Sequence, residues 1–183
     1  AIWLIVGAFL FSRGFIKTGL GKRIAYNLIS AFGSSSLRLA YALALSDLIL
    51  APATPSNTAR VGGVIMPITT SLAKAFGSEP QDGPRKIGSF LMQSIYQVNT
   101  ITSAMFQTSM AGNTLVAALA LQSFGIGITW GDWAMAAIVP GIIALIIMPY
   151  FIYKVYPPEI KDAREAQQMI REELKGLGKI SFQ

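Results

Sequence analysis

The chain has 183 residues, a net charge of +6, 52% hydrophobic and 13% charged residues, and a mean hydropathy of +0.51, which sets it apart from an ordinary soluble domain. It has no cysteine and no histidine, so disulfides, thiolate chemistry and imidazole bases or ligands are excluded within it. The basic residues fall at the ends of apolar segments, a juxtamembrane pattern that points to a lipid bilayer and away from nucleic acid.

Ala1 to Phe11 is an unbroken apolar run. Eleven helical residues reach about 17 Å against a hydrocarbon core of about 30 Å, so the run is expected to be the truncated end of a membrane helix that starts upstream. Leu20, Ile24, Leu28 and Phe32 recur every four positions and predict a helix lying in the interface, which completes a first unit, residues 1–33. Ser34, Ser35 and Ser36 offer a cap for a helix from about Leu37 to Leu50, which at about 21 Å is too short to cross. Pro52 and Pro55 are expected to break the helix at Ala51 and Thr54. A second arm then begins near Thr58 and runs to Phe76, with Pro67 as a kink. Two short arms around a polar break, residues 34–77, predict a re-entrant hairpin.

Polar backbone that is not helical survives at membrane depth only where protein buries it or water reaches it. The tip, Ala53 to Arg60, is therefore a candidate binding site. Ser56 or Asn57 can cap the second arm, whose free N–H groups and positive dipole end favour a carboxylate. Side-chain oxygens and carbonyls there can instead hold a small hard cation, and a plain helix cap is the bland alternative. Asp47 and Arg60 are the only charges between Leu39 and Thr70. They either pair across the hairpin or leave Arg60 facing a dianion. Gly62 and Gly63 suggest close approach to a neighbouring helix.

A polar loop with Pro80, Gly83 and Pro84 leads into a 35-residue segment, Ile87 to Leu121, that would measure about 52 Å as one helix. Its middle is rich in Asn99, Thr102, Ser103, Thr108, Ser109 and Asn113, so residues 78–121 are expected to be a loop and a discontinuous transmembrane helix. Residues 122–156 carry interface tryptophans Trp130 and Trp133 and then the cleanest full span, Ala134 to Tyr153. Pro157 and Pro158 stop it, and residues 157–183 predict a cytoplasmic amphipathic helix on Ile160, Ala163, Ile170 and Leu174. The loop from Gln122 to Trp133 has no Lys or Arg, so the basic side, where the hairpin opens, is expected to be cytoplasmic. The fold class is an all-α, polytopic helical membrane protein. A serine hydrolase would lack its His base and an aspartyl protease its second Asp, and no phosphate loop is present, so no enzyme and no cofactor are expected. A carrier, an anion channel and a structural membrane subunit remain.

The Ser56-Asn57-Thr58 triplet, in the run from Ala51 to Gly63, resembles the divalent anion:sodium symporter family, nearest its citrate/succinate and 2-oxoglutarate/malate translocator branch. The order of elements fits over nearly the whole chain. The resemblance implies that Ser56, Asn57 and Thr58 contact a substrate carboxylate at a re-entrant tip. It implies a related tip in a second, inverted half, so that this chain is one inverted-repeat half and its partner is the missing C-terminal repeat. The unwound part of the broken helix would be Ile101 to Met105, followed by Asn113, with sodium held by oxygens around Ser56, Asn57, Thr102 and Ser103. This stretch departs from the glycine- and proline-rich version of other branches. The implied activity is secondary active transport of di- or tricarboxylates (succinate, malate, 2-oxoglutarate, citrate) by sodium symport or anion exchange, through alternating access. The implied assembly is a homodimer of the full-length protein in the bacterial plasma membrane, or in the chloroplast inner envelope of plant relatives.

Overall fold

The computed structural model describes residues 17–177, so the expected helix of Ala1 to Phe11 lies outside the described residues. Among the described residues the fold is helical, with a single β-bridge between Ser35 and Asp162.

The first helix, α1 (Leu20–Phe32), buries Gly21, Ala25, Tyr26 and Ile29. Of the apolar stripe expected on it, Leu20 and Phe32 are exposed while Ile24 and Leu28 are half-buried against the core. Helix α2 (Ser36–Leu50) is apolar all round and buried on most sides, including Leu39, Leu43, Ala44, Asp47 and Leu50, as such a helix must be. A 3₁₀ turn, Ala51–Ala53, extends it. Ala51 keeps helical dihedrals in front of Pro52 (φ −56°, ψ −49°), and the chain leaves the helical region only at Thr54 (φ −121°, ψ 97°), before Pro55. The first arm is thus longer than expected. Ser36–Ala53 is long and apolar enough to cross a membrane, so length alone does not make it re-entrant.

The second arm is a continuous helical run, 57–75, composed of α3 (Asn57–Arg60), a π-helical turn (Val61–Ile65) and α4 (Met66–Ala75). Pro67 sits in the first turn of α4, directly after the π turn, where the local ladder already accommodates a missing N–H. Gly62 is exposed, and a Cβ there would meet nothing within 4 Å, so it is no close-packing glycine against the described residues.

Helix α5 (Gly88–Met105) starts on a borrowed cap. The buried Ser78 hydroxyl accepts from the Gly88 N–H at 2.9 Å and donates to the Gly83 carbonyl at 2.9 Å. After a break at Phe106 to Met110 comes α6 (Ala111–Phe124), which buries only Asn113 and Ala117. Helix α7 (Trp130–Val155) opens with a Thr129/Asp132 capping box and spans 26 residues, about 39 Å. It packs on α5 through Gly141, Leu145, Pro149 and Ile152 and leaves Ile143, Ile146, Ile147 and Phe151 exposed, the surface of a lipid-facing helix.

Helix α8 (Arg164–Gly176) lies on α1 through Ala166 and Ile170. The Tyr26 hydroxyl donates to Glu173, and burial first, then that carboxylate, pushes the phenol well above its usual range. The Ser36 N–H donates to Lys161 O, the Glu159 N–H to Arg85 O, and Arg171 Nη2 to Ser30 O. These bonds gather the basic segments at one end of the bundle, and the loop after α6 lies at the other.

Candidate functional site

Ser56, Asn57 and Thr58 come together where the second arm begins. Ser56 is extended (φ −143°, ψ 110°) and its Oγ accepts from the Ala59 N–H at 3.2 Å. Asn57 Oδ1 accepts from the Thr58 N–H at 2.9 Å. Ser56 and Asn57 are half-buried and Thr58 is exposed, so the triplet forms a polar rim on an otherwise apolar hairpin. Behind the rim, Thr54 is 2% exposed and its Oγ1 has no partner among the described residues.

Below the rim lies a buried cation. Arg60, 1% exposed, pairs with Asp47 through Nε and Oδ1 at 2.8 Å, which decides between the two roles open to it in sequence. Nη1 donates to the Thr54 and Ser109 carbonyls, both at 3.2 Å. Nη2 faces Asn99 Oδ1 at 3.1 Å, Thr102 Oγ1 at 3.2 Å and Ser103 Oγ at 3.1 Å. The Thr102 hydroxyl donates to Asp47 Oδ2, so it can only accept from Arg60. Every guanidinium N–H therefore has an oxygen. A buried charge persists only when it is paired and solvated in this way.

Thr102 Oγ1 and Ser103 Oγ, two of the expected sodium oxygens, thus both accept from the Arg60 guanidinium. The break also falls later than expected. Ile101 to Met105 is helical, and the unwound residues are Phe106 to Met110. Asn113 explains why the chain can open there: its Nδ2 donates to Ser103 O at 2.7 Å and Phe106 O at 2.9 Å, and Ser109 Oγ also donates to Ser103 O, at 2.6 Å. These bonds satisfy carbonyls that a helix end leaves orphaned.

The far end of the bundle closes on the break. Trp130 Nε1 donates to Thr108 Oγ1 at 3.0 Å and Trp133 Nε1 to Ala104 O at 2.9 Å, while Gln107 Nε2 reaches Ile128 O at 3.2 Å. Thr108 in turn donates to Pro52 O at 2.8 Å. Thr54 lies inside the candidate tip, whereas Asn99 and Thr108 escaped sequence reasoning as site residues, because their only signal was membership of a polar cluster whose members could not be ranked.

The family described as the sodium:sulfate symporter transmembrane region matches residues 1–183. The chain belongs to the sodium:sulfate symporter family. It is therefore part of an integral membrane protein, and the family resemblance read from the tip is borne out. Among its relatives, a Bacillus subtilis protein provisionally named a malate transporter is 57% identical over 178 residues, 97% of this chain and 37% of the relative. Dicarboxylate transporter 1 of the spinach chloroplast is 50% identical over 180 residues, 98% and 32%. The L-tartrate/succinate antiporter of Escherichia coli is 39% identical over 180 residues, 98% and 37%. The chain spans about a third of the length of the curated relatives it matches.

Proposed function

We propose that this symporter-family chain supplies one half of the substrate site of a dicarboxylate carrier, with a carboxylate held by Ser56, Asn57 and Thr58. The observation that carries the reading is a polar rim at a helix start, seated on a cation that is already neutralised. Asp47 cancels the Arg60 charge and all Arg60 donors are used, so attraction falls to the Asn57 and Thr58 side chains and the positive dipole end of the second arm. Such a site binds a dianion without a salt bridge that would hinder its release. The names of the relatives, dicarboxylate transporter and L-tartrate/succinate antiporter, support di- over tricarboxylates. The hairpin is read as re-entrant from the cytoplasmic side, facing the C-terminal inverted repeat of a homodimeric full-length protein, with alternating access between them.

For coupling, we favour anion exchange over sodium symport. A sodium ion shared by Ser56, Asn57, Thr102 and Ser103 would lie beside the guanidinium, but Asp47 offsets much of the roughly 4 kcal/mol by which two unit charges about 4 Å apart repel at an effective dielectric of 20, so what opposes the ion is competition for ligands. Two of the oxygens that would coordinate the ion, Thr102 Oγ1 and Ser103 Oγ, are already ligands of Arg60.

The test uses the full-length protein in liposomes. Saturable succinate uptake should be stimulated by internal succinate, should be unchanged when choline replaces sodium, and should be abolished by Asn57→Ala in a protein that still folds. Uptake that collapses without sodium would restore the four-residue sodium site. Conductance without exchange would favour a channel, and absence of flux a structural subunit.

A further inference from the structure

The indole N–H groups of Trp130 and Trp133 do not point to the water and headgroups that interface anchors address; both donate to protein at the break. An indole N–H can only donate, so Thr108 Oγ1 accepts from Trp130 and its one proton is directed to the Pro52 carbonyl. The indole is itself fixed, stacked on Phe106 with centroids 5.9 Å apart and planes 16° apart. Pro52 lies in the 3₁₀ turn that ends the first arm, two residues before Thr54. The turn is thus held on both flanks: Arg60 takes the Thr54 carbonyl from below, and Thr108 takes the Pro52 carbonyl from the break. Only the second tie leads to the loop at the far end of the bundle.

We propose that Trp130 is a positioning residue for the hairpin tip, acting through Thr108: its indole N–H orients the hydroxyl that pins Pro52, and so sets how well the tip receives its ligand. The effect on affinity rests on the carboxylate reading above, whereas the pinning of the turn does not.

The experiment uses full-length protein in a cysteine-free background with a reporter, Ala53→Cys, in the pinned turn. Maleimide labelling should become about fivefold faster in Trp130→Phe, which keeps an aromatic ring at the position and loses the N–H, a change of the size of one hydrogen bond. Thr108→Val should match it and Thr108→Ser should label like the parent. The double variant Trp130→Phe/Thr108→Val should label no faster than either single, since the two act in series. Without the reporter, both single variants should raise the KM for succinate by a similar factor and leave the maximal rate nearly unchanged. Labelling that responds to Thr108→Val but not to Trp130→Phe, or effects that multiply in the double variant, would overturn the relay. A parent that fails to carry succinate while the labelling pattern holds would refute the carboxylate reading and leave the relay standing.

Discussion

Removing the Arg60 side chain tests the interior of the hairpin most directly. Arg60→Ala leaves the Asp47 carboxylate 2% exposed, with the Thr102 hydroxyl as its remaining partner, and takes the donor from the Thr54 and Ser109 carbonyls. Breaking a buried pair from one side costs about 3–5 kcal/mol, because the surviving charge keeps its desolvation penalty. The orphaned carbonyls place the expected loss toward the upper part of that range. Removing both charges with side chains of similar bulk, Asp47→Leu with Arg60→Met, removes the stranded charge. The double variant should therefore lose less than either single one, a coupling typical of residues in direct contact. Equilibrium unfolding of the full-length protein in mixed micelles, followed by tryptophan fluorescence, measures Arg60→Ala and the cycle made by the parent, Asp47→Leu, Arg60→Met and their double variant. A loss below about 1 kcal/mol for Arg60→Ala, or a double variant as unstable as the two singles summed, would show that the pair does not hold the hairpin to α5.

Thr54→Val removes a buried hydroxyl that has no partner among the described residues, so stability should stay level or rise slightly while succinate uptake falls if that oxygen serves the ligand; melting and uptake on one preparation decide. Gly141→Ala places a Cβ 2.6 Å from Met105 Sδ and should cost about 1–3 kcal/mol in the same unfolding assay, with part recovered by Met105→Ala. Tyr26→Phe should loosen α8 on α1, which Ala166, Ile170 and the Arg171–Ser30 bond still hold, seen as modestly faster proteolysis within Arg164–Gly176 with little change in the melting of the remainder. Cysteines at the exposed Gln81 and Gly127 should label from opposite membrane faces; labelling from one face would mean that α5 and α6 together do not cross.

The hairpin, the capped loop before α5, the break and the long span were legible because each is written in the length of an apolar stretch or in a proline. The location of the break was not. Polar residues run without pause from Asn99 to Asn113, and hydroxyls inside a helix hide by bonding back one turn, as Thr100 does to Tyr96 O at 3.1 Å. Only the reach of Asn113 separates the helical residues from the unwound ones. Pairing of Asp47 with Arg60 was one of two readings, and six oxygens around the guanidinium chose between them. The direction of the Trp130 indole had no sequence signal, since a ring at a membrane boundary serves equally as anchor or donor.

The π turn at Val61–Ile65 separates two decisions along one helix. Each residue of an α-helix advances about 100°, so in a plain helix the direction of Arg60 would dictate which later residues face the core. One wide turn resets the phase. Arg60 can address α5 and the break while Val64, Ile65, Ile68 and Leu72 settle independently into the interior. Were the same residues to wind as plain α-helix, the tip would rotate relative to its arm by up to about 100°, carrying the cation out of its oxygen cage with no change in any of the residues that compose it.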